Sequence, residues 1–177
     1  MTNQSFENEL EPLWNKAVGL YKSGNRDAES YFSNDEKLFL SSIGVTAREV
    51  YDFAEDFTQS GEPDFKTFAL VHEVRRSYFD EVQKGKLSSQ TVAPSTFPAK
   101  TDEVRGIVWL PRIIEKAKVK LHGELDPDTM YGCGGDRRFF RDNNVDPAEF
   151  LRIVWKNETN NEPIVSWVEG QRKTKST

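Results

Sequence analysis

The chain has 177 residues, 36% hydrophobic and 30% charged, with 24 basic and 29 acidic side chains and a net charge of −5. It therefore has enough apolar material for a real core, and its charge argues against generic nucleic-acid binding. No apolar run approaches the ~18 residues of a membrane span, the acidic N-terminus lacks the form of a leader, and one cysteine, Cys133, allows neither an internal disulfide nor a cysteine-pair zinc site; the expected location is the cytoplasm.

Apolar residues recur at three-and-four spacing almost throughout, so the periodicity predicts an all-α chain. The first helix runs from about Phe6 to Lys22 and stops at Ser23-Gly24. A capping box of Ser33 with Glu36 opens the second, and Gly44 ends it. A second box, Thr46 with Glu49, opens the third, in which Val50, Tyr51, Phe53, Ala54 and Phe57 share one arc. After Gly61-Glu62-Pro63 a fourth helix extends from about Asp64 to Lys84 and is expected to be the most buried. Residues 87–104 are rich in Ser, Thr, Pro, Ala and Lys, the composition of an exposed linker.

Gly106-Ile107-Val108-Trp109 has some extended character but no alternation that would define a strand. A fifth helix follows from Pro111 to His122, a sixth from about Asp136 to Asn143, and a seventh opens on Asp146 with Glu149. Pro163 begins an eighth, and Gln171–Thr177 reads as a frayed polar tail.

The chain also reads twice. Moved by 100 residues without a gap, residues 10–69 match 110–169 at Leu10/Leu110, Lys16-Ala17/Lys116-Ala117, Tyr31/Tyr131, Phe39/Phe139, Val45/Val145, Glu49/Glu149 and Glu62-Pro63/Glu162-Pro163. Ordinary composition would give about three or four matches. The organisation expected is two tandem related helical units, 1–86 and 105–177, joined by the linker. Their charge differs: 10 basic and 16 acidic side chains up to residue 86, 14 and 13 beyond it. An anion site therefore belongs in the second unit.

Leu110-Pro111-Arg112, Lys116-Ala117, Leu121, Gly123, Tyr131, Asp136-Arg137, Val145-Asp146, Phe150 and Trp167-Val168 together resemble a bacterial helical family, the domain of unknown function DUF5069. Gly24-Asn25-Arg26-Asp27, Gly61 to Phe65 and Arg75 to Phe79 are similar to longer members. The resemblance implies a helical fold and brings no activity with it.

The sharpest local anomaly is the loop Tyr131-Gly132-Cys133-Gly134-Gly135-Asp136-Arg137-Arg138, since the matching Tyr31 to Leu38 contains no glycine. Free N–H groups at a helix start, with arginines nearby, can hold a phosphate or carboxylate, which makes Gly134, Gly135, Arg137 and Arg138 candidate ligand residues. The plainer reading is a tight turn capped by Asp136, whose own charge competes with an anion. Cys133 is a nucleophile candidate there and has no base adjacent in sequence. Arg112, Lys116 and Lys120 form a basic stripe that reads as a solvated face.

On the fourth helix Arg75 falls mid-arc among apolar residues and His72 toward its rim. A carboxylate of the third helix, Glu49, Asp52 or Asp56, would satisfy Arg75, and a ligand anion is the alternative. His72 is a second catalytic candidate. The acidic stripe lacks a histidine at metal-ligand spacing, so no metal is expected. Arg152 and Lys156 stand where the first unit has Asp52 and Asp56, which suggests docking of the two units through opposite charge.

No catalytic constellation or cofactor motif stands out. The reading is a non-catalytic binding or interaction module without membrane association and with no identified partner. The alternative is an enzyme or sensor that takes a small anionic ligand at residues 132–138, with Arg75 contributing.

Overall fold

The computed structural model describes residues 3–174, with side chains described from 5 to 173. Two compact units divide between Leu87 and Ser88, and the described residues are mostly helical.

The first unit contains α1 (Asn3–Lys22), α2 (Asn34–Ser42), α3 (Ala47–Ser60) and α4 (Phe65–Glu81), with a short 3-10 turn at Ala28–Ser30. Both capping boxes form: Ser33 and Thr46 each accept from the backbone three residues on, and Glu36 and Glu49 return the bond. Gly61 closes α3 in the left-handed region, where glycine carries no Cβ penalty. α1 packs on α3 and α4, with the Trp14 ring against Phe57, Phe65 and Phe68. Nine side chains of α4 are buried, the most of any helix described, in line with the arc read from the sequence.

The second unit contains β1 (Glu103–Val104), β2 (Ile107–Val108), α5 (Leu110–His122), α6 (Gly134–Asp142), α7 (Pro147–Lys156) and α8 (Glu162–Thr174). α5 packs on α7 and on β1, and Phe150 meets both Phe140 and Trp167.

Three local expectations need correction. The stretch around Ile107 is a strand, paired antiparallel with β1 through a turn in which Arg105 and Gly106 both have positive φ. Two residues per strand are too few for alternation to be visible, and this turn geometry is the one that matches strand twist. The tail through Thr174 continues α8, while residues 175–177 lie outside the described residues. Finally, the segment with linker composition is largely exposed yet tied to the second unit: Ser88 donates to Glu124, Val92 bridges Leu125, and Phe97 is buried under the Arg112 guanidinium.

The helix limits follow the sequence offset closely. α2 and α6 start and end 100 residues apart, α3 and α7 start 100 apart, and α1 and α5 end 100 apart. The turn after α2 uses Gly44 at φ 70°, and the turn after α6 uses Asn144 at φ 55°. The next residue repeats one hydrogen bond, Val45 N–H to Leu40 O and Val145 N–H to Phe140 O, each 2.9 Å.

Candidate functional site

The glycine-rich loop leads into α6, and Gly132, Cys133 and Asp136 within it are engaged internally. Gly132 turns the chain at φ 92° and Cys133 becomes the N-cap, so the helix begins at Gly134 and Asp136 lies in its first turn. This corrects the expectation that Asp136 caps the helix. Its carboxylate is fully buried and faces back toward the loop: Oδ2 accepts from Gly132 N–H at 3.0 Å and from Lys116 Nζ at 2.6 Å, and Oδ1 accepts from Trp109 Nε1 at 3.0 Å. A buried carboxylate thus ties the loop before α6 to Lys116 of α5 and to Trp109.

Trp109 and Lys116 are the two participants that sequence reasoning misses. Trp109 sits at φ 74° as the residue before α5, and its ring lies against the backbone of Gly135. Lys116, expected in a solvated stripe, is buried, as is Lys120, while Arg112 donates to Pro98 O. The stripe is therefore not a solvated face. The available signal is the 100-residue offset read in the sequence. Lys16 pairs with Glu36 at 2.6 Å in the first unit, and the same offset leads to Lys116 and Asp136. There the exposed pair, together with the Ser33 backbone, holds the Glu36 carboxyl below its ordinary value.

The close seat of Trp109 explains why position 135 is glycine. A Cβ there would come within 2.7 Å of the indole ring, whereas one at Gly134 would meet nothing nearer than an Arg137 nitrogen at 3.8 Å. Gly135→Ala is expected to destabilise the second unit by about 1–3 kcal/mol and to shift tryptophan emission, whereas Gly134→Ala should be neutral or slightly stabilising. Thermal melts with fluorescence detection compare the two.

Arg137 folds back so that Nη1 donates to Gly132 O at 2.9 Å, and Arg138 projects outward, 81% exposed, with its Nε 3.6 Å from Asp142. Gly134, Gly135, Arg137, Arg138 and Cys133 thus do gather at one helix start. Arg75 and His72 belong to the first unit, inside its core. Being 1% and 0% exposed, neither can line a surface, and His72 is not at a rim. Its Nδ1–H donates to Phe68 O at 2.8 Å, and its ring packs on Phe53 and Phe68. The Arg75 guanidinium lies 5.3 Å from the Phe79 ring centre.

Of the third-helix carboxylates, Glu49 serves the capping box and Asp52 pairs with Arg48 at 2.9 Å. Arg152 likewise pairs within its own unit, with Glu149. Among the described residues no three His, Cys, Asp or Glu side chains form a metal-binding group, and no described helix is long and apolar enough to cross a membrane.

Burial raises the Asp52 carboxyl to about 7, with Glu55 and Glu49 adding to it against the opposing Arg48 charge. A raised carboxyl favours folding while it holds its proton, so its contribution is full at low pH. That contribution is lost as pH rises from the unfolded value near 3.8 through 7. Asp52→Asn should therefore raise the melting temperature at pH ~8, and the gain should fade toward pH ~4. Melts across that range would contradict the assignment if the gain were constant or grew in acid.

Residues 96–177 match the model of a family described as Domain of unknown function (DUF5069); no curated protein and no solved structure matches the chain. The matched residues take in Phe97, both strands and α5 to α8, and so contain the whole Trp109–Lys116–Asp136 arrangement, while the likeness read at Gly24 and Gly61 lies outside them. Over residues 96–177, the chain is similar to DUF5069.

Proposed function

We propose that the chain is a non-catalytic interaction module made of two copies of one ancestral helical unit, working in the cytoplasm. The observation that carries the non-catalytic reading is the internal use of its polar groups. Asp136 is saturated by Lys116, Trp109 and Gly132, and His72 is bonded within its own helix. Groups with this much internal bonding hold structure, and chemistry at them would begin by breaking it. The shared helix limits and the two Lys–acid pairs at one offset support the duplication.

The test is ligand response. Inorganic phosphate, sulfate and a panel of phosphorylated metabolites should leave the melting temperature unchanged, and immobilised protein should retain a partner that rebinds in purified form. A second reading, a sensor of small anions, is favoured by the exposed Arg138 beside the glycine-rich loop. A concentration-dependent rise in melting temperature that Arg138→Ala abolishes would establish that reading instead.

A further inference from the structure

We propose that Lys116 and Cys133 form a redox-operated cross-link inside the second unit, an Sγ–Nζ bond made when a hydroperoxide oxidises the thiol and opened by a thiol reductant. The inference rests on the pair and is independent of the functional reading above. Lys116 Nζ stands 3.4 Å from Cys133 Sγ, and its side chain is only 5% exposed and anchored 2.6 Å from Asp136. The amine is therefore held against the sulfur. Cys133 itself is only partly buried.

Capping does not account for the thiol. In the first unit the same position is Ser33, whose hydroxyl accepts from Glu36 N–H as helix caps do; Cys133 makes no side-chain cap bond at all. What distinguishes the second copy is an oxidisable atom in place of the hydroxyl, together with a buried amine in place of the exposed Lys16.

The chemistry balances with one hydroperoxide. The Cys133 sulfur attacks the peroxide, the O–O bond breaks, and the products are a sulfenic acid and an alcohol, or water from hydrogen peroxide. Sulfur has then lost two electrons to the oxidant. Lys116 passes one proton to the Asp136 carboxylate, which frees the Nζ lone pair to attack Sγ. The S–O bond breaks, and the departing hydroxide takes a second proton from Nζ and leaves as water. One N–H remains on the new S–N bond, and relative to the reduced chain two hydrogens are gone. A thiol reductant attacks Sγ, returns the amine as leaving group, and a second thiol resolves the mixed disulfide.

The full chain is treated with hydrogen peroxide, remaining thiols are alkylated, and the digest is read by tandem mass spectrometry. The expected product joins the peptides containing residues 116 and 133, weighs about 2 Da less than their sum, and disappears with dithiothreitol. Cys133→Ser, which copies the natural Ser33, should fold and give no such product. Because Lys116 variants risk unfolding the unit, the wild-type result decides: sulfinic or sulfonic Cys133, or an alkylated thiol, with the Lys116 peptide still linear would overturn the proposal.

Discussion

Asp136→Ala should cost the second unit about 3–5 kcal/mol, because it strands the Lys116 ammonium in a buried site and removes the acceptor for Trp109 Nε1 and Gly132 N–H. The loss belongs to the broken pair, not to the absence of charge as such. Asp136→Ala combined with Lys116→Met should therefore recover part of the stability, since an apolar chain of similar length fills the same space without needing a counter-charge. Thermal unfolding with hydrogen exchange resolved by segment would locate the effect in residues 88–177. A single variant as stable as the parent, or a double variant no better than the single, would show that the pair is not what holds the start of α6 to α5.

The second large effect is expected in the first unit, at Gly44. Its φ of 70° disfavours any residue with a Cβ, and an added Cβ would approach Phe79 Cγ to 2.9 Å and Arg75 Cζ to 3.2 Å. Backbone strain and core overlap together should make Gly44→Ala destabilising by about 2–4 kcal/mol. The position 100 residues on supplies a control. Asn144 occupies the matching turn at φ 55°, so Gly44→Asn relieves much of the backbone term while leaving the steric one. Denaturant unfolding should rank the asparagine variant below wild type for overlap alone. A loss under about 0.5 kcal/mol for Gly44→Ala would mean that Phe79 and Arg75 yield freely.

Helix limits are legible because their signals are local. Ser33 with Glu36, Thr46 with Glu49, Gly61 and Gly123 each act within a few residues of where they stand. The hairpin is not, since its order comes from packing on α5 and a two-residue turn and not from strand periodicity. The glycine-rich loop is easy to locate and harder to explain. Its glycines look like room for a ligand, whereas Gly135 gives room to Trp109, a residue 26 positions earlier that no local pattern connects to it. Lys116 and Lys120 mislead for a related reason. A lysine every four residues resembles a wetted face unless something covers it, and what covers it is fixed by tertiary structure. Arg75 shows the converse, since its place in mid-arc does mark it as interior, whereas His72, read at the rim of the same arc, is covered by Phe53 and Phe68 of the folded unit.

The paired lysine and acid at one offset have been given opposite relations to dissolved ions. Lys16–Glu36 stands in the solvent, where mobile counter-ions crowd around each partner and dilute the attraction; Lys116–Asp136 is sealed from them. Sodium chloride should thus loosen one clasp and leave the other, so that a salt titration followed at these two contacts tells them apart without a single substitution.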